Sequence, residues 1–337
     1  MIRLAVIGVG RWGQHFARLF AQHSAVELVA LVDPHRERLQ AVQAQLQLPN
    51  RVGLWTDVAQ VWAETMVLDA VMIATPATTH RNLIQTALQR GYHVLAEKPL
   101  TLEAADCLAL TALAQQQGKQ LFVDHTYGFH PAMERGKTVI PQLGTCRYGY
   151  ATRTNLGPIR QDVDALWDLA IHDLAMFNLW LGQTPQRVRA WGGSWLQPGL
   201  ADMVWATLHY PDGFEATCHW SWDNPDKQRR LGIVGDRGTL VFDEMHGAAP
   251  LQVFWGHSQP RPDGGYHSEP IQAEALTFAE QEPLQRVCDR FLENIHTGQT
   301  DAAASGDLAT QLVQILQALE RSLASGSIWQ AVESEDR

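Results

Sequence analysis

Apolar residues fall into two textures along this chain. From Ile2 to about residue 123 they form short continuous runs: Ile2 to Ile7, Val26 to Val32, Asp69 to Thr75 (DAVMIAT), His93 to Ala96 and Gln120 to Val123. Runs of that length without polar alternation predict strands buried on both faces. Between the first two, Trp12, Phe16, Leu19 and Phe20 recur at helical spacing, so strand and helix alternate and a doubly wound parallel sheet is expected. Beyond residue 123 the runs lengthen and alternate. Val204 to Tyr210, then Pro211-Asp212-Gly213, then Phe214 to Trp222 reads as a hairpin in a mostly antiparallel sheet. Near the end, Leu308, Leu312, Ile315, Leu316, Leu319 and Leu323 mark an amphipathic helix that packing alone explains. The expected fold class is α/β, with one domain over 1–123 and a second over 124–337.

Composition narrows the class. With 337 residues, 45% of them hydrophobic and 18% charged, the chain can fill two cores. No stretch approaches the ~20 uninterrupted apolar residues of a spanning helix, and the start of the chain lacks the form of a signal peptide. A cytoplasmic protein with no membrane partner is expected. The net charge of −10, with no stripe of Lys and Arg, argues against nucleic acid. Cys107, Cys146, Cys218 and Cys288 are too far apart for a redox pair or a zinc site and read as buried thiols.

Chemistry is concentrated in three places. Gly8-Val9-Gly10-Arg11-Trp12-Gly13 joins the first strand to the first helix, and Asp33 closes the second strand. Glycines there let backbone N–H groups and the positive end of a helix approach a pyrophosphate, while a carboxylate at the second strand's end accepts ribose hydroxyls. A dinucleotide is the expected ligand. The charge of Asp33 favours NAD, and Arg36 or Arg38 leaves room for NADP.

The second place is Glu97-Lys98-Pro99, at the exit of the strand ending near Ala96. Ligands of an open parallel sheet lie beyond the carboxyl ends of its strands, so this trio is expected at a crevice. A solvated Glu97–Lys98 pair is the competing reading. The third is Asp168 and His172, placed i and i+4 on a helix whose apolar stripe is Leu166, Leu169, Ala170, Leu174, Phe177 and Leu181. A carboxylate one turn away orients an imidazole and steadies its protonated form. An exposed pair, a metal pair and a structural histidine compete, though no metal signature is present.

Taken in order, Gly8 to Gly13 with Asp33, Ala74-Thr75-Pro76 with His80, Glu97-Lys98-Pro99, and Asp168 with His172 resemble the glucose-fructose oxidoreductase, inositol dehydrogenase and rhizopine catabolism (Gfo/Idh/MocA) family. The resemblance covers nearly the whole chain. It implies a Rossmann domain followed by an open-faced α/β domain, a homodimer or homotetramer, and reaction at a secondary alcohol of a sugar, cyclitol or nucleotide-linked amino sugar. By the same likeness Gly8, Gly10, Arg11, Trp12, Gly13, Asp33, Thr75, Pro76, His80, Glu97 and Lys98 contact the cofactor. Lys98, Asp168 and His172 carry the catalysis.

His125 and Tyr127 lie in the block expected near the nicotinamide. Together with Arg153, Asn155 and the catalytic three they make up the expected substrate contacts, with Arg160 a further candidate. Two departures stand out: Gly128 replaces an Arg common in relatives, and Ala175 replaces an acid, with Asp173 adjacent to the histidine instead. The implied reaction has His172 removing a hydroxyl proton while Lys98 hydrogen-bonds the same oxygen. A non-catalytic regulator and an NAD-retaining glycosidase on the same fold are the rival functions.

Overall fold

The computed structural model describes residues 1–63 and 68–333. By contact the chain divides into two compact units, the first comprising Met1–Phe129 and Glu282–Val313, the second His130–Gln281 and the chain from Gln314 on.

In the first unit, β1 (Ile2–Ile7), α1 (Gly13–Gln22), β2 (Val26–Val32), α2 (Arg36–Gln45), β3 (Gly53–Trp55), α3 (Val58–Ala63), β4 (Ala70–Ile73), α4 (Ala77–Gln89), β5 (His93–Glu97), α5 (Ala104–Gln116) and β6 (Leu121–Asp124) alternate in sequence. The six strands form one sheet in the order β3-β2-β1-β4-β5-β6, and every pairing is parallel. The order reverses between β1 and β4, which is where a doubly wound sheet opens a crevice. The buried runs expected from the sequence form β1, β2, β4, β5 and β6. The short edge strand β3 and α3 have too few residues to show a period.

The second unit contains α6 (Pro131–Val139), β7 (Cys146–Leu156), α7 (Ile171–Leu181), β8 (Arg187–Gly193), β9 (Met203–His209), β10 (Glu215–Ser221), β11 (Asp223–Gly235), β12 (Gly238–Asp243) and β13 (Leu251–Trp255). It continues through β14 (Ser258–Pro260), β15 (Tyr266–Ser268) and β16 (Gln272–Ala275). A nine-stranded sheet runs β16-β13-β12-β11-β7-β10-β9-β8-β17, closed at one edge by β17 (Gln330–Ala331). Its pairs are antiparallel except β7 with β10. The expected hairpin is β9 with β10, in register from His209 opposite Glu215 to Met203 opposite Ser221. Strict alternation of burial along β9 is what a half-covered sheet demands.

One segment departs from the expected division. After β16 the chain forms α8 (Pro283–Thr297), and its stripe of Leu284, Val287, Cys288, Phe291 and Leu292 joins Leu4, Phe16, Phe20, Phe122 and Phe129 in the first unit's core. Phe291 meets Phe122 edge-on, with ring centroids 5.8 Å apart. The sequence reading assigned everything after residue 123 to the second domain, because an amphipathic stripe says that a helix is covered and not by what. The last helix, α9 (Gly306–Ala324), buries Leu308, Leu312, Ile315, Leu316 and Leu319 as its period requires. Among the described residues no helix is long and apolar enough to cross a membrane.

The α8 contact yields a test. Phe291→Ala leaves a cavity among the rings of a fully buried cluster, and a loss of about 3–5 kcal/mol in unfolding free energy is expected. Denaturant titration of the variant against the parent measures it.

Candidate active-site elements

The turn between β1 and α1 is shaped by its glycines. Gly8 has φ of +86°, and a Cβ there would stand 2.6 Å from the Ala74 carbonyl oxygen; one on Gly13 would stand 1.8 Å from the Gly8 carbonyl oxygen. These two positions close the turn against β4 and admit no side chain. Gly10 differs, since its added Cβ would meet nothing within 4 Å. Open space at the middle glycine, with the N–H groups of the first turn of α1 beside it, is the cradle a pyrophosphate requires. Arg11 and Trp12, expected at the cofactor, are both exposed beside it.

Asp33 lies just beyond β2 and is 3% exposed. Its carboxylate accepts from the backbone N–H of Val9 at 3.1 Å and of His35 at 3.0 Å, and from Arg38 Nη1 at 3.1 and 3.2 Å. Burial alone would raise its pKa, but the His35 N–H, the Arg38 guanidinium and the Val9 N–H together hold it below the usual carboxylate range. Asp33 is therefore ionised at neutral pH and ties the glycine turn to the end of β2. Arg38 pairs with that carboxylate and offsets its charge. These residues fit a nicotinamide dinucleotide.

At β4, Thr75 is half-buried and Pro76 exposed, and Thr75 Oγ1 lies 2.7 Å from Thr79 Oγ1. His80 is buried. Its Nδ1 faces the carbonyl oxygens of Pro99 at 2.9 Å and Leu100 at 3.2 Å, and its Nε2 faces that of Thr75 at 2.9 Å. The ring thus joins the exit of β4 to the exit of β5. Carbonyl oxygens only accept, so a neutral ring serves one side and an imidazolium both.

The Glu97-Lys98-Pro99 trio leaves β5 at the carboxyl edge of the sheet, as expected, and the Lys98–Pro99 bond is cis. Glu97 is buried rather than part of a solvated pair, and its carboxylate accepts the Lys98 backbone N–H at 3.2 Å. Beside it β6 ends in Asp124-His125. His125 is buried, and among the described residues its Nε2 has no hydrogen-bond partner; burial and then the Lys98 charge push its pKa down to about 3. Tyr127 is half-buried on the short turn that follows. Asp124, which sequence reading passed over, is a buried carboxylate within reach of the Lys98 charge.

In the second unit a π-helical turn, Leu166–Ala170, runs into α7. Asp164 starts it by accepting the Trp167 N–H at 3.0 Å, and burial pushes this carboxyl up to about 6. From Val163 to Asn178 every residue is buried except Asp168 and His172. The two groups expected on one face are therefore the two that the segment leaves open. π-Helical insertions of this kind recur at functional sites. Arg160 Nη1 reaches Asp168 at 3.3 Å while its Nη2 holds Asp162 at 2.6 Å.

Arg153 has a different place from the expected one. It is 3% exposed and donates through Nε at 3.1 Å and Nη2 at 2.7 Å to Asp173, itself 2% exposed. Asp173 accepts from Trp220 Nε1 at 2.8 Å as well. The two side chains form a buried ion pair. Asn155 is partly open, but its side chain donates to the Gly157 carbonyl at 2.6 Å and accepts from Arg229 at 2.7 Å. Among the described residues no cluster of His, Cys, Asp or Glu is arranged to hold a metal ion.

Removing one member of that pair strands the other's charge in the core. Asp173→Ala is expected to destabilise the protein by about 3–5 kcal/mol. Thermal unfolding monitored by circular dichroism, with Asp162→Ala as an exposed-pair control shifting little, checks it.

Comparison with known proteins places these elements. Residues 2–125 match the model of an oxidoreductase family with an NAD-binding Rossmann fold, and residues 143–241 match the GFO/IDH/MocA C-terminal domain. The chain is 35% identical over 297 residues to UDP-N-acetylglucosamine 3-dehydrogenase of Acidithiobacillus ferrooxidans, covering 87% of this chain and 88% of that one. It is 30% identical over 316 residues to D-xylose 1-dehydrogenase (NADP(+)) 2 of Haloferax volcanii, covering 91% and 92%. A solved structure of UDP-N-acetylglucosamine 3-dehydrogenase from A. ferrooxidans superposes with a TM-score of 0.81 at 27% identity, covering 96% and 98%.

Proposed function

The chain belongs to the Gfo/Idh/MocA oxidoreductase family, and from that premise we propose that it oxidises a secondary ring hydroxyl of a nucleotide-linked amino sugar. The carrying observation is the 35% identity, across 87% of the chain, to a dehydrogenase named for UDP-N-acetylglucosamine.

When bound at the glycine turn, NAD or NADP supplies the hydride acceptor. The chain's own residues handle the proton and the charge. His172 takes the hydroxyl proton. Asp168, one turn before it, orients the ring and steadies the imidazolium. Arg160, bonded to Asp168, limits that carboxylate's freedom. Lys98 donates a hydrogen bond to the reacting oxygen and offsets its developing negative charge. In the reverse direction the same groups return the proton to a ketone.

Two copies of the chain are proposed to pair through the open face of the nine-stranded sheet. Strand register puts Trp191, Trp205, His219 and Tyr148 on that face. Trp191 and Tyr148 are 54% and 52% exposed, and the Trp205 and His219 rings stack with centroids 4.2 Å apart. A flat aromatic surface of this kind on a sheet is costly in water and is covered in a self-complementary contact. Trp191→Glu is expected to shift the protein to monomer in sedimentation velocity, whereas an unchanged sedimentation coefficient rejects this face as the interface.

The activity is tested by following reduced-nicotinamide absorbance with UDP-N-acetylglucosamine, free N-acetylglucosamine, xylose and inositol, each with NAD and NADP. Turnover confined to the nucleotide-linked sugar is expected, and turnover of the free sugars alone rejects the substrate class. In the same assay His172→Ala is expected to lower kcat by roughly 10²- to 10⁴-fold with dinucleotide affinity retained.

A further inference from the structure

The carboxyl edge of the six-stranded sheet holds a charged group to which the mechanism above assigns nothing. β5 and β6 are parallel, with Glu97 opposite Asp124. The chain therefore leaves both strands at the same level, through Lys98 on one side and His125 on the other. Asp124 is 2% exposed, and its Oδ1 accepts the Thr126 hydroxyl at 2.8 Å.

The groups around this carboxyl are Glu97 and Lys98 from β5, His125 and Thr126 next in the chain, and Cys288 from α8. Burial, and then the charge of Asp124, keep the Cys288 thiol protonated. His125 is held neutral. Among the described residues, Lys98 is the cation whose charge bears on this carboxyl. Burial pushes Asp124 up to about 6, while the Thr126 hydroxyl and the Lys98 ammonium pull the other way. At neutral pH the carboxylate is ionised, and it takes a proton as pH falls through that value.

A lysine side chain has a long flexible stem and a compact charge, so placing its ammonium takes an anchor. Asp124 is rigidly held at a strand end and by Thr126.

We propose that Asp124 is the positioning residue of Lys98, its ionised carboxylate fixing the ammonium at the sheet edge. The proposal rests on the reading of Lys98 as hydrogen-bond donor to the reacting oxygen. It adds a dependence: protonating Asp124 releases Lys98.

Asp124→Asn tests this, since it keeps the size of the side chain and an oxygen to accept Thr126 while removing the charge. The readout is the acetylation rate of Lys98 by acetic anhydride in the protein without cofactor, followed by peptide mass. Losing a nearby carboxylate lowers a lysine's affinity for its proton. Lys98 in the variant, no longer held by a carboxylate, is expected to label on the order of ten times faster at pH 8, while Lys119 is unchanged. Equal Lys98 rates in variant and parent overturn the proposal.

Where the variant does not fold, the unsubstituted protein gives the answer. A plot of log labelling rate against pH must show an acid branch lying above the extension of the neutral branch, with the break near pH 6. A single straight line overturns the proposal. Lys98→Met separates the two readings: undiminished turnover there rejects the role of Lys98 in the reaction, whatever the labelling of Asp124→Asn shows.

Discussion

A strand buried on both faces has nowhere to put a polar side chain except at its ends. That constraint arranges the first unit. Because all six strands run parallel, their carboxyl ends collect on one edge, and so do the groups that apolar strands cannot hold: the glycine turn after β1, Asp33 after β2, Thr75 after β4, Glu97 and Lys98 after β5, Asp124 and His125 after β6. None of these residues is a neighbour of the others in sequence beyond its own strand. The sheet lines them up along that edge, and it buries Asp33, Glu97, Asp124 and His125, so each buried charge requires a matched partner. Arg38 and backbone N–H groups serve Asp33, the Thr126 hydroxyl binds Asp124 with the Lys98 charge nearby, and the Lys98 N–H binds Glu97.

The second unit solves the same problem by sorting charges between inside and outside. Its sheet is covered on one face, which leaves room for a buried ion pair between Arg153 on β7 and Asp173 on α7, and for an open pair one turn away on the same helix. The two acids of that helical segment nearest His172 differ completely in surroundings. Asp173 is locked by Arg153 and Trp220, while Asp168 keeps a half-open position beside Arg160. In a family of NAD(P)-dependent oxidoreductases acting on sugar hydroxyls, that difference separates a residue that holds the helix from one available to chemistry.

Local signals carried most of this. The glycine turn and the buried runs were legible because strand and turn preferences act over a few residues, and the Asp168–His172 relation because helical period fixes a shared face. What sequence did not disclose depends on pairing at a distance. That Arg153 pairs with Asp173 follows only once β7 and α7 are packed. That the His80 ring joins the exits of two strands likewise depends on the sheet. Asp124 was invisible because its meaning comes from the register of β5 with β6, and a lone Asp before a His signals nothing. The amphipathic stripe of α8 was equally legible as a stripe, but its partner core lies more than a hundred residues upstream.

That return of α8 has a consequence for how the protein is made. The chain emerges from the ribosome amino end first, so strands β1 to β6 are available long before the helix that completes their core. Phe122 and Phe129 wait uncovered while strands β7 to β16 are synthesised, and only when Phe291 emerges does the first unit's core close. The order of assembly is thereby written into the chain: the half that begins first cannot close until most of the other has been made.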